Sequence, residues 1–252
     1  MAIYTVAIGK GGAGKSTTAA ELVAHLTRAG RTVRALDTDR QGNLSTRLGI
    51  GADTEGVEVV AADVLAGQGS PAQAMASPSV PGAWVLPGTL DLDELDEPMD
   101  SMVERIRAAA AGVDDLIIDT RPSLHPVTEA ALRAADTIVV PCPGEGEAFD
   151  QVEELDAFLQ LRVGGGQAIG AIVPTNHDGR RVLDREVLEL LQEKWPDLVT
   201  APIRERVAVK ESYVAGLPFS VYARTSETAA DYAAVCAVVT GIPATTTERN
   251  PS

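Results

Sequence analysis

Eight residues near the start of the chain, Gly9-Lys10-Gly11-Gly12-Ala13-Gly14-Lys15-Ser16, follow the spacing G-x-x-x-x-G-K-S. Glycines at this density let a backbone curl closely round a polyphosphate and turn its N–H groups toward the oxygens. A lysine after the last glycine can reach the β- and γ-phosphates, and the hydroxyl beside it can ligate Mg²⁺. Lys10 adds a second cation to the loop, in a chain with only four lysines. Two further groups carry carboxylates. Asp37 and Asp39 lie in Leu36-Asp37-Thr38-Asp39-Arg40-Gln41-Gly42-Asn43, and Asp119 ends the apolar run Leu116-Ile117-Ile118. An apolar strand closing on a carboxylate is the form that holds Mg²⁺ beside a bound polyphosphate. For Asp37 and Asp39, taken alone, an Asx turn after a strand is an equal alternative.

These groups can cooperate only if the chain gathers them at one edge. IYTVAI, ahead of the glycine loop, is a β-rich apolar run. In STTAAELVAHLTRAG after it, Ala19, Leu22, Val23 and Leu26 recur at helical spacing, and Gly30 closes the helix before TVRALD. The alternation continues through strands at 114–119, 137–141 and 168–175 and helices at 128–135, 150–162 and 184–195. Solid apolar strands separated by amphipathic helices predict an α/β fold with a mainly parallel, twisted sheet covered by helices on both faces. In such sheets ligands bind past the carboxyl ends of the strands, where the loop and both aspartate groups fall. Residues 64–88 read as an excursion with one short helix, 1–242 as a single P-loop domain, and 243–252 as a flexible tail.

The segment K-G-G-A-G-K-S-T resembles the deviant Walker A motif of the ParA/MinD family of ATPases. Leu36–Leu44 resembles the family's D-x-D-P-Q-G-N stretch, with Arg40 at the usual proline. Asp119-Thr120-Arg121-Pro122-Ser123-Leu124 resembles its D-x-P-P-S-L, with Arg121 at the first proline. Matching segments extend over about residues 2–240. The resemblance implies a P-loop ATPase that binds ATP and Mg²⁺ through Gly11, Gly12, Ala13, Gly14, Lys15, Ser16 and Thr17. It places Ser16, Asp37 and Asp119 around the metal and Asp39 on the attacking water. It puts Ile203, Arg204 and Arg206 where the family contacts the base. Lys10 would reach the partner's phosphates across a homodimer with ATP sandwiched between subunits, offsetting charge that develops in transfer.

The net charge of −15 is unevenly spread. Residues 1–50 hold seven basic and three acidic side chains, 51–160 four and 22, and 161–252 ten and 11. Nonspecific DNA binding rests on phosphate contacts, so a local patch could supply it despite the total. Arg180, Arg181, Arg185, Arg204, Arg206, Lys210 and Arg224 are the candidates. By resemblance, the partners would be nonspecific DNA and a ParB-like adaptor, and the function plasmid or chromosome partition. A DNA-independent switch that positions a protein cargo is the alternative. A MinD-like membrane-surface ATPase would need a basic amphipathic C-terminal helix, and residues 227–239 contain no Lys or Arg. Only eight residues precede Gly9, so operator-specific DNA reading by this chain is not expected. No secretory pattern opens the sequence, which predicts a cytoplasmic protein, nucleoid-associated if DNA binds. Cys142 and Cys236 are too few and too far apart for a metal cluster.

Overall fold

Seven strands form one sheet in the order β3-β4-β2-β5-β1-β6-β7, parallel throughout except for the edge strand β3, which pairs antiparallel with β4. The computed structural model describes residues 1–51, 54–164 and 166–244. From residue 245 onward the expected tail lies outside the described residues. The strands are β1 (Ala2–Val6), β2 (Val33–Asp37), β3 (Met75–Ala76), β4 (Ala83–Leu86), β5 (Asp115–Asp119), β6 (Thr137–Pro143) and β7 (Ile169–Thr175). Between them run α1 (Lys15–Arg28), α2 (Asn43–Arg47), α3 (Ala61–Ala66), α4 (Met99–Ala108), α5 (Pro126–Ala134) and α6 (Gly146–Phe158). After β7 come α7 (Val182–Lys194), α8 (Ala208–Val214), α9 (Phe219–Tyr222) and α10 (Glu227–Thr240).

Alternate residues of the central strands point to opposite faces, and each face is sealed by its own helices. Tyr4, Val6, Ala35, Ile117 and Val139 pack with Leu22 and Leu26 of α1 and Tyr232 and Val235 of α10. Ile3, Leu36, Leu116 and Ile118 pack on the other side with Met102 and Ile106 of α4 and Ala130 and Ala131 of α5. Ile138, Val140 and Ile172 carry that second face across to α6 and α7 through Val152, Leu155 and Leu191. Each fully buried Leu or Ile contributes about 1.5–3 kcal/mol relative to exposure.

The sequence pattern did not mark β4. Ala83-Trp84-Val85-Leu86 is four residues long, follows Pro81-Gly82, and becomes a strand only through its parallel pairing with β2. Propensity over so short a window is weak, and pairing decides it.

What positions the site is register. Val6 lies opposite Asp119, and Asp37 lies opposite Asp119 from the other side. The exit of β1 into the glycine loop and both buried aspartates therefore share one end of three adjacent strands.

Candidate active site

The glycine loop joins β1 to α1 and rims a cavity of about 680 Å³. Gly12 and Gly14 have φ of 75° and 91°, a left-handed backbone that a side chain would strain. Gly14 is the N-cap of α1 and no side chain caps that end, so its first N–H groups remain open to an anion. Thr175 at the end of β7 donates its hydroxyl to the Ala13 carbonyl at 2.8 Å, fixing the loop from the far side. Gly11 through Thr17 all line the cavity.

Lys15 is buried, and its Nζ donates to the Lys10 carbonyl at 2.8 Å. Burial pulls its pKa below the usual lysine value, while Asp119 and Asp39 oppose that shift. Lys10 does not line that cavity. Its Nζ pairs with Glu145 Oε2 at 2.8 Å and Glu147 Oε2 at 3.1 Å, at the start of α6. Those two glutamates raise its pKa.

The three aspartates differ in what they hold. Asp37 is fully buried and its oxygens are taken: Oδ1 accepts from the Asp39 N–H at 3.2 Å, and Oδ2 from the Ser45 N–H at 2.9 Å and hydroxyl at 2.8 Å. Burial raises its pKa to about 6 against these donors. Asp37 thus ties the loop carrying Asp39 and the start of α2 to the end of β2. Asp39 keeps its own Asx turn, accepting from the Gln41 N–H at 3.1 Å, and also lines the cavity. The turn and a place on the cavity wall coexist.

Asp119 is the opposite case. Both of its oxygens are buried without a hydrogen-bond partner. Burial first, then the nearby Asp37 charge, pushes its pKa well up, with the Ser16 hydroxyl and Lys15 pulling the other way. A carboxylate left open in this way is costly unless a cation joins it. The donor set fits Mg²⁺, with Asp119 and Ser16 as the residues that would hold it.

Ile203, Arg204 and Arg206 do not line this cavity. Ile203 is buried beside the end of β7, its N–H donating to the Pro174 carbonyl at 2.8 Å. Arg204 and Arg206 line a second cavity of about 430 Å³ with Arg180 and Arg181. Asn176 does line the first cavity, and it is the one non-glycine residue with positive φ, 54°, among those described. Tyr213 and Arg47 line it too, the guanidinium 5.2 Å from the ring centroid. Neither residue has a local motif; only chain crossing brings them here.

Residues 1–162 match the AAA domain family. Over 231 residues the chain is 33% identical to the chromosome-partitioning ATPase Soj of Thermus thermophilus, covering 88% of this chain and 89% of that protein. The chain belongs to the ParA/MinD family of ATPases. The chromosome partitioning protein ParA of Caulobacter vibrioides is 31% identical over 236 residues, 88% of this chain and 87% of its own length. The cell division ATPase MinD of Pyrococcus furiosus aligns with a TM-score of 0.80 at 26% identity, over 96% of this chain and 99% of that one. A variant of McdA from Cyanothece, solved in complex with ATP, shares the fold, with a TM-score of 0.79 at 20% identity over 96% and 97% of the two chains. This ATPase uses ATP and Mg²⁺, and the loop, Lys15 and Ser16 line the first cavity, with Asp119 buried next to Ser16.

The cations proposed for DNA are mostly engaged with acids. Arg180 pairs with Asp178 at 2.7 Å, Arg181 with Glu205 at 2.7 Å, and Arg204 with Glu227 at 2.6 Å and Asp231 at 2.8 Å. Arg206 reaches Glu227 at 3.5 Å, and Arg185 donates to the Gly179 carbonyl at 2.8 Å. Lys210 lines the nucleotide cavity, and Arg224 is exposed. Among the described residues no helix is long and apolar enough to cross a membrane, and none of their His, Cys, Asp or Glu side chains group as a metal cluster.

Proposed function

We infer that the protein is an ATP-dependent partition switch: a cytoplasmic ATPase that closes into a homodimer around ATP, associates nonspecifically with DNA, and is released when a ParB-like adaptor stimulates hydrolysis. The observation that carries this reading is the position of Lys10. It sits in the phosphate loop but is turned away from the cavity of its own chain, held by two exposed glutamates. Pairs with carboxylates this exposed are weak, so the ammonium can exchange them for a phosphate presented by a second copy. In hydrolysis Asp39 orients the attacking water, Lys15 steadies the β- and γ-phosphates, and Asp37 keeps the loop of Asp39 in place. Mg²⁺ on Ser16 and Asp119 supplies charge neutralisation at the phosphates.

The acid partners of Arg180, Arg181, Arg204 and Arg206 favour a second reading, a switch that positions a protein cargo without DNA. Binding of a long duplex with ATP, ADP and no nucleotide, across a salt series, separates the two. Partition predicts binding with ATP at low salt that weakens steeply as salt rises. No ATP-dependent binding at any salt selects the cargo switch. ATP-dependent dimerisation, followed by light scattering on the same samples, tests the part common to both.

A further inference from the structure

Arg40 follows Asp39 and Arg121 lies two residues after Asp119, and the structure brings both to a single carboxylate. Asp93, at the end of a short turn (Leu90–Asp93), accepts from Arg40 Nη1 at 2.7 Å through Oδ2 and from Arg121 Nη1 at 2.8 Å through Oδ1. All three side chains line the nucleotide cavity with Lys15, Ser16 and Asp39. Arg40 and Asp93 are partly open, with side chains 50% and 35% exposed, whereas that of Arg121 is 12% exposed.

The guanidinium of Arg121 is only partly used. Nε and Nη2 are buried and have no hydrogen-bond partner. Together they form the side edge of the group, a two-donor fork matched to a carboxylate or a phosphate. A buried fork without an acceptor is costly. Asp119, two residues away, has two buried oxygens equally unpartnered, yet the two side chains do not pair. A buried carboxylate that needs a cation, two residues from a buried fork that needs an anion on a side chain lining the cavity, is complementary to a metal–phosphate pair.

We propose that Arg121 is a phosphate-contacting residue supplied by the same chain, which leaves Asp93 to bind the terminal phosphate of ATP and so distinguishes the triphosphate from the diphosphate. Arg40 remains on Asp93 and keeps its turn in place. The guanidinium turns from Asp93, which holds only Nη1, to present its Nε–Nη2 edge to the phosphate, so one anion replaces the other. Asp93 accordingly competes with the nucleotide.

This inference rests on the nucleotide-site assignment, and Lys15→Ala, which should lose both nucleotides, tests that assignment separately. Titration calorimetry with Mg·ATP and Mg·ADP on the full chain tests the inference. Arg121→Ala should weaken ATP about 10- to 100-fold and ADP less than about threefold. Arg121→Lys, which keeps the charge but not the fork, should recover only part of the difference. Asp93→Asn should tighten ATP several-fold relative to ADP. Equal weakening of both nucleotides in Arg121→Ala, or no change in either, overturns the proposal. If Arg121→Ala does not fold, Asp93→Asn decides: an ATP-to-ADP affinity ratio identical to that of the parent overturns it.

Discussion

Gly88 carries no chemistry, yet it governs where the Asp37–Asp39 loop sits. It follows β4, and a methyl group there would come 2.1 Å from the Asp39 carbonyl oxygen, 3.0 Å from the Asp37 carbonyl oxygen and 3.1 Å from Asp37 Cγ. The first two are backbone atoms, so no rotamer change relieves the clash. To reach ordinary contact the loop must move by about 1 Å or β4 must recede by as much. Overpacking of this size costs about 1–3 kcal/mol, a fall in Tm of about 2–4 °C per kcal/mol for a chain of this length. The larger effect is on the reaction. Asp39 rides on the displaced segment, and a misplacement of about 1 Å costs on the order of 100-fold in rate. Gly88→Ala should therefore lower kcat on the order of 100-fold, with Mg·ATP affinity changed much less, because the phosphate loop leaves β1, two strands away from β2 in the sheet. Steady-state ATPase assays, calorimetric binding and thermal melts measure the three quantities. Gly146→Ala is the control: an added methyl meets nothing within 4 Å at the start of α6, so Tm should hold or rise. A Gly88→Ala protein with parental kcat and Tm refutes the reasoning.

Asp39→Asn should bind Mg·ATP near the parental affinity and hydrolyse it at least about tenfold more slowly; single-turnover assays at parental rate would remove Asp39 from the water. Glu21 of α1 is fully buried, accepting from the Ser220 N–H at 3.1 Å, and burial raises its pKa. A carboxyl whose folded pKa is raised adds stability that is complete below its unfolded pKa and is lost as pH climbs through the folded value. Glu21→Gln should then gain stability relative to the parent as pH rises above the ordinary glutamate range, in denaturant melts; a parallel pair of stability curves contradicts this. The Cys142 thiol is pushed up to about 12 by burial, and that of Cys236 well above its usual value. At about pH 8 Cys142 should react with a disulfide reagent about 1,000-fold more slowly than a free thiol, Cys236 should also react slowly, and both should react at once in denaturant. Fast labelling of the native protein would contradict their burial.

Contiguous sequence carried the phosphate loop, the aspartate groups and the alternation of strand and helix, because each is a short pattern whose meaning is local: glycines that curl, a lysine at fixed offset, apolar periods of two or about 3.6 residues. The parallel fold followed from the alternation of apolar strands and amphipathic helices, and the phosphate chemistry from Gly9–Ser16, with the roles of Asp37, Asp39 and Asp119 resting on the family resemblance. Tertiary structure decided how those groups divide the work. Asp37 and Asp119 look alike as strand-end carboxylates, but the Ser45 N–H and hydroxyl both donate to one while the other has only the Ser16 hydroxyl nearby. The placement of β4, the approach of Gly88 to Asp39, and the meeting of Arg40 and Arg121 on Asp93 likewise join segments tens of residues apart. So does the neutralisation of Arg204 by Asp231. Hydrogen bonds and ion pairs are satisfied by whatever the fold brings near, so residue type shows which groups can react while packing determines which remain free to do so.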